Sequence, residues 1–194
     1  MTKFIYYYTH MQKNAAKQED KLQAVTLPED MKKAYLPYKC VFAELGNNYE
    51  VKRELGRGSY GVAYKVILKG AEKQKYALKR LFAITQARWI LLEILYLQLL
   101  LNKPNIIKYV SGIRCESQVD IIFEYVPHQP FAYLVEQLDM TGVKRYMFQL
   151  MTALSVLESY GIMHRDVKPT NFLYSLKTQK GVLIDFGLSE LVIY

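Results

Sequence analysis

The stretch between Asn171 and Asp185 constrains the fold more than any other part of the chain. Phe172-Leu173-Tyr174 is apolar and strand-like, Ser175 to Gly181 is polar and turn-like, and Val182-Leu183-Ile184 is a second short strand. That pattern predicts a hairpin. A hairpin returns its two ends to each other, so the amide of Asn171 and the carboxylate of Asp185 come to flank one point. The hairpin is preceded by His164-Arg165-Asp166-Val167-Lys168-Pro169-Thr170-Asn171 and followed by Phe186-Gly187. Phosphoryl transfer needs a carboxylate to orient the attacking hydroxyl, oxygen ligands for Mg²⁺ and a cation on the phosphates. Asp166 is the candidate base, Asn171 and Asp185 are candidate metal ligands, and Lys168 is the nearby cation. The bland alternative, an ordinary turn rich in Asp and Asn, does not account for both motifs in this order.

The chain has 194 residues and a net charge of +8, enough length for one domain or two small lobes. Residues 1–48 carry seven Lys against five acids, and residues 49–194 carry 19 Lys and Arg against 13 acids. The excess reads as spread along the chain, with no basic block. Nucleic-acid binding is therefore not supported. A phosphate-handling site or an acidic protein substrate accounts for the sign equally well. Cys40 and Cys115 are the two cysteines. They make no disulfide framework and fit a reducing compartment. Met1 to Met11 lacks the apolar run of a signal peptide. Trp89 to Leu101 is the most apolar run, but it is short for a membrane span and contains Glu93 and Gln98, so no membrane association is expected.

Residues 1–48 read as an extension. Phe4 to Tyr8 is a strand or docking peptide, Lys13 to Gln23 a solvated helix, and Pro28 and Pro37 interrupt the rest of the extension. From Tyr49 the pattern changes. Tyr49 to Leu55 and Val62 to Leu68 predict two strands around Gly56-Arg57-Gly58-Ser59-Tyr60-Gly61. Three glycines at this spacing let backbone N–H groups approach phosphates. Ala63-Tyr64-Lys65-Val66 argues against the helix that a dinucleotide site would need next. Lys69 to Lys73 predicts a turn, and Tyr76-Ala77-Leu78-Lys79 a third strand. Ala87 to Asn102 predicts a helix in which Glu93 is the sole acid. This helix is apolar nearly all round, and such a helix must be covered on every side. Strands follow at Ile107 to Cys115 and Val119 to Tyr125, then a short helix at Phe131 to Leu138. Val143, Met147, Leu150, Leu154 and Leu157 form a helical stripe leading into the His164 loop.

Taken together, the Gly-rich hairpin, Ala77-Leu78-Lys79, His164-Arg165-Asp166 with Asn171, and Asp185-Phe186-Gly187 resemble the eukaryotic protein kinases over residues 49–194. The resemblance implies an α+β, two-lobe fold, with an antiparallel-sheet small lobe over 49–126 and a helical large lobe from 127. It implies ATP and Mg²⁺ as cofactors. Leu55, Gly56, Gly58, Gly61, Ala63, Ala77 and Leu173 would line the nucleotide, and Lys79 would hold its phosphates and pair with Glu93. Glu124 and Val126 would offer backbone groups to the adenine beside Phe123. The Val of the family pattern is Ala63 here, which thins one wall of that pocket. His164 would be a packing residue.

Lys168, two residues after Asp166, resembles the serine/threonine type. The string His164 to Tyr174, Asp185-Phe186-Gly187-Leu188 and Glu124-Tyr125-Val126-Pro127-His128 look most like the cell-division-cycle-seven kinases. These form the catalytic subunit of a complex that phosphorylates the replicative helicase. That resemblance implies a regulatory subunit over the Glu93 helix, protein substrates, a role in replication initiation or cell-cycle control, and nuclear localisation. Cyclin-dependent kinases share Gly58-Ser59-Tyr60-Gly61-Val62, and the casein kinase one group shares part of Asn171 to Tyr174. The sequence stops at Tyr194, soon after Asp185-Phe186-Gly187, without the activation segment and later helices of the family. It is expected to be a fragment that forms the ATP side of the fold and phosphorylates protein poorly alone, or a non-catalytic module that captures a kinase partner.

Overall fold

The computed structural model describes residues 49–82, 87–115 and 118–192. The segments expected at Phe4 to Tyr8 and Lys13 to Gln23 lie outside them. The described residues belong to one compact unit, Pro37–Tyr194.

The first part is a five-stranded antiparallel sheet with spatial order β1-β2-β3-β5-β4. β1 spans Tyr49–Arg57, β2 Gly61–Leu68 and β3 Ala71–Leu81; β4 (Tyr109–Cys115) and β5 (Gln118–Glu124) follow a helix, α1, at Ala87–Leu99. The turn expected over Lys69 to Lys73 is tighter. Gly70 takes φ 80°, so Leu68 pairs directly with Ala71 and the third strand begins early. Gly61 is required by packing, because a Cβ there would come within 2.3 Å of the Arg80 carbonyl oxygen. At Gly56 and Gly58 a Cβ would meet nothing within 4 Å. Packing among the described residues therefore does not demand glycine at those two positions.

The charge is less evenly spread than its overall sum implies. Residues 49–82 hold nine Lys and Arg against three acids, the whole +6 excess of residues 49–194. All of these basic residues except Lys69, which lies in the turn, sit on β1, β2 and β3, where Arg53 lies directly opposite Lys65. Like charges so placed repel. Lys65 relieves part of this by lying 4.8 Å from the Tyr125 ring centroid.

The second part comprises α2 (Phe131–Gln137), α3 (Met140–Ser159), and two ribbons: β6 (Ile162–Met163) with β9 (Glu190–Leu191), and β7 (Phe172–Ser175) with β8 (Lys180–Leu183). The arrangement is the α+β, two-part fold the motifs implied. The β7–β8 pair is the hairpin expected between Asn171 and Asp185, with Phe172 opposite Leu183. Asp139 caps α3 by accepting from the Gly142 N–H at 2.7 Å.

α3 buries Gly142, Tyr146, Ala153 and Leu157. The Tyr146 ring packs edge-on to Phe172 at 4.9 Å and against Tyr174 at 5.4 Å. The stripe expected from Val143 to Leu157 is thus turned by about a fifth of a revolution. Leu157 is buried, but Val143 and Met147 are exposed, alongside Met140, Phe148 and Met151. The helix is apolar on two adjacent stripes, and the aromatic contacts select which one faces β7.

In α1, Leu92, Glu93, Ile94, Tyr96 and Leu97 are buried, as is Leu100 just beyond. They cover more than half the helix circumference. Trp89 and Leu99 remain exposed. No helix among the described residues is long and apolar enough to cross a membrane.

Candidate functional site

Two clusters of polar side chains meet where the sheet abuts the β7–β8 hairpin. The first is built on Lys79. Its Nζ donates to Glu93 Oε1 at 2.7 Å and to Asp185 Oδ1 at 2.8 Å. β3 supplies the lysine, α1 the glutamate and the end of the hairpin the aspartate, so three distant segments converge on one ammonium group. Glu93 is 4% exposed. Burial alone would lower the lysine pKa, but the two carboxylates outweigh it and hold Lys79 charged, above its ordinary value. Burial raises Glu93, and the ammonium only partly offsets this. Burial would also raise Asp185, yet Lys79 and the Gly187 backbone N–H together hold it below the ordinary carboxylate value. Asp185 adopts φ 64°, a left-handed conformation that Asp and Asn tolerate better than most residues. A Cβ on Gly187 would sit 3.5 Å from both Asp185 Oδ1 and Glu93 Oε2, and 3.7 Å from Lys79 Nζ. A methyl group there would make ordinary van der Waals contact with all three charged groups.

The second cluster is built on Asp166. Lys168 Nζ donates to its Oδ2 at 2.7 Å, and Asn171 Nδ2 donates to the same oxygen at 2.8 Å and to the Asp166 carbonyl at 2.9 Å. Both side-chain bonds fall on Oδ2. Among the described residues Oδ1 is therefore the oxygen left to orient an incoming hydroxyl. Because Nδ2 of Asn171 is committed to Asp166, its amide oxygen is the atom left for a cation.

His164 joins the clusters. Its ring bonds the Ile184 carbonyl through Nε2 at 2.9 Å and the Asp166 N–H through Nδ1 at 3.3 Å. A carbonyl can only accept and an N–H can only donate, so one tautomer satisfies both: neutral imidazole with the proton on Nε2. Protonating Nδ1 would break the bond to Asp166. Burial pushes the His164 pKa below 6.5, against the Ile184 hydrogen bond and nearby acids that raise it. Below pH 6.5 the unfolded chain therefore binds a proton that the folded chain resists. His164's contribution to stability is complete above pH 6.5 and is lost as pH falls toward the depressed folded value. Urea midpoints measured from pH 7.5 to 5 should fall with pH, and His164→Gln should flatten that slope. An unchanged slope in the variant would assign it to other groups.

The positions expected to face a nucleotide are also gathered. Gly56 pairs with Ala63, Ala63 with Lys79, and Ala77 with Phe123. Leu55 lies on β1 beside this row. Glu124 ends β5, and its N–H donates to the Lys108 carbonyl at 3.0 Å. His128 Nδ1 lies 2.9 Å from the Val126 carbonyl oxygen. One acceptor expected to serve the adenine is thus already engaged, though a carbonyl can accept twice. The Gln129 N–H reaches the Tyr174 carbonyl at 3.2 Å, tying the segment after Val126 to the strand that carries Leu173.

Sequence reasoning did not identify three contributors. Arg165, at φ 67°, is paired with Glu190 at 2.5 Å across the β6–β9 ribbon. A 260 Å³ cavity beside Lys79 and Glu93 is walled by Tyr60, Leu81, Trp89, Ile90 and Leu188. Asn105 and Gln149 hold the hairpin from behind. Only the Arg165 position left a local signal, through its place in the motif.

The donor chemistry suits a nucleotide with a hard divalent cation. One carboxylate and one amide oxygen flank the hairpin's open end, with an ammonium beside them. Among the described residues there is no cluster of three or more His, Cys, Asp or Glu. A two-ligand site of this kind is completed by water and substrate phosphates, the usual mode for Mg²⁺.

Comparison with known proteins agrees with this geometry. A probable cell division control protein 7 homolog of Encephalitozoon cuniculi is 35% identical over 143 residues, 73% of this chain and 40% of the relative. The human cell division cycle 7-related protein kinase is 29% identical over 90% of this chain and 30% of the relative. A probable casein kinase II subunit alpha homolog of E. cuniculi is 33% identical over 80% of this chain and 49% of the relative. The chain spans less than half the length of each of these relatives. The family described as the protein kinase domain matches residues 49–194, and the chain belongs to that family.

Proposed function

We propose that this chain carries the nucleotide-binding and catalytic groups of a serine/threonine protein kinase of the cell-division-cycle-seven kind. It would transfer the γ-phosphoryl group of ATP to protein hydroxyls. The observation that carries this is the Lys79 ammonium held between Glu93 and Asp185, at the end of the hairpin that begins from the Asp166–Asn171 pair. Lys79 is fixed by two carboxylates and offers a charged group to the phosphates. Asn171 and Asp185 would hold Mg²⁺, which when bound neutralises charge on the phosphates. Asp166 orients the substrate hydroxyl through Oδ1, and Lys168 stands beside it to offset developing charge. Gly56 and Gly58, which no contact among the described residues demands, would leave room over the phosphates. Ala63, Ala77, Leu55 and Leu173 supply apolar walls for the base, and Glu124 and Val126 supply the backbone edge beside Phe123.

Two finer assignments rest on the relatives' names and on α1. A role in replication initiation or cell-cycle control, with nuclear location, follows the cell-division-cycle-seven resemblance. A regulatory subunit would sit on the exposed Trp89 and Leu99 of α1. The test is transfer from γ-labelled ATP to a panel of Ser, Thr and Tyr peptides, with and without Mg²⁺, using the longest natural form of the protein. Label on Ser and Thr that requires Mg²⁺ is expected. Label on Tyr alone, or none under any condition, overturns the assignment.

A further inference from the structure

β8 is the outer strand of its ribbon, yet its outward-facing backbone groups are satisfied by a clamp from two other segments. At Leu183 the partner is backbone: the Leu183 N–H donates to the Asn105 carbonyl at 2.8 Å, and its carbonyl accepts from the Ile107 N–H at 3.0 Å. At Gly181 the partners are side chains. Asn105 Nδ2 donates to the Gly181 carbonyl at 2.7 Å. Gln149 Oε1 accepts from the Gly181 N–H at 2.7 Å. The two side chains are joined by an Asn105 Nδ2 to Gln149 Oε1 bond at 3.0 Å. Gln149 Nε2 also donates to the Gln179 carbonyl at 2.9 Å. Asn105 itself sits at φ 57°.

Gly181 cannot carry a side chain, because a Cβ would lie 2.5 Å from the Phe172 ring. The hairpin thus has no side chain of its own at this point and is held by others. Leu183 stands two residues before Asp185. The next N–H, of Ile184, donates to the Asn171 carbonyl at 2.9 Å. A shift of β8 at Gly181 therefore propagates directly to the spacing of Asn171 and Asp185. Asn105 belongs to the connection leaving α1, the helix of Glu93, whereas Gln149 lies on α3.

We propose that Asn105 and Gln149 are positioning residues for the divalent-cation site, holding the hairpin so that Asn171 and Asp185 keep a common ligand distance. The inference rests on the proposed function above. It adds that the segment after α1 and helix α3 jointly set metal affinity without touching the metal.

The test measures nucleotide affinity of the full chain with saturating Mg²⁺ and with chelator. Asn105→Gly keeps the left-handed backbone available and removes only the amide. Gln149→Ala removes the acceptor, and Gln149→Glu restores it. Asn105→Gly and Gln149→Ala are each expected to raise the half-saturating Mg²⁺ concentration about tenfold, the scale seen when groups behind metal ligands are removed. Affinity for Mg²⁺-free nucleotide should stay unchanged, and Gln149→Glu, which restores the acceptor for Gly181 but not the donor to Gln179, should lie closer to the parent than Gln149→Ala does. Equal loss with and without Mg²⁺ would mean a purely structural clamp and overturn the proposal, as would no change in either. A parent chain whose nucleotide binding ignores Mg²⁺ would instead overturn the kinase assignment, and this inference with it.

Discussion

Asp185→Asn should lower kcat/KM for phosphoryl transfer by about 10³-fold, the scale of removing one preorganised electrostatic group from an active site, while leaving the fold intact. Asn fits the left-handed backbone at position 185 nearly as well as Asp does, and its amide oxygen can still accept from Lys79. What it lacks is negative charge for the cation. Asp185→Ala removes the same charge and in addition forces a β-carbon residue without a polar side chain into φ 64°, at a cost of about 1–2 kcal/mol. The pair of variants separates chemistry from conformation. Both should be inactive, but only the alanine form should unfold at clearly lower urea. Activity in Asp185→Asn within tenfold of the parent would show that this carboxylate does not hold the metal.

Lys79→Met should abolish transfer and also destabilise the chain by about 3–5 kcal/mol, the usual penalty for leaving one member of a buried ion pair alone. Glu93, 4% exposed, would lose its first partner. Its pKa, already raised by burial, would rise further, so the carboxyl would be carried protonated. The sign of the pH dependence comes from that rise. A group with a raised folded pKa stabilises below its unfolded value, near 4.5, and that contribution is lost as pH climbs through the folded value. The Lys79→Met variant should therefore lose stability relative to the parent as pH rises from about 4.5 toward 7. Adding Glu93→Leu should recover most of the stability and none of the activity. Urea unfolding of the single and double variants across that range decides it. A pH-independent deficit would show that Glu93 is rescued by another cation.

The Asp166 half of the candidate site was legible in the sequence because its parts are local, whereas the Lys79 half joins three distant segments and was expected from the family resemblance. Asn171 and Asp185 are joined by a hairpin whose polarity pattern is self-contained, and Asp166, Lys168 and Asn171 lie within one loop. Glu93 could be singled out as the lone acid of an apolar helix. The clamp at Gly181 was not legible. Asn105 and Gln149 are polar residues separated by a long stretch of chain, and nothing in their neighbours marks them as partners. The buried face of α3 was misjudged because two apolar stripes lie side by side, and periodicity cannot rank them; the aromatic stack of Tyr146 on Phe172 and Tyr174 does. The concentration of basic charge on β1 to β3 was present in the sequence but hidden by summing over a longer window. The engagement of the Val126 carbonyl by His128 depends on a turn geometry that composition does not reveal.

The stripe of α3 left exposed among the described residues has a chemical consequence. Met140, Met147 and Met151 are exposed by 70%, 46% and 58%, so their thioethers are open to peroxide. Oxidation would place polar sulfoxide oxygens along this exposed apolar surface. Mild oxidant should therefore raise the concentration at which the protein stays dispersed, an outcome opposite to the usual damage done by oxidising methionine inside a core.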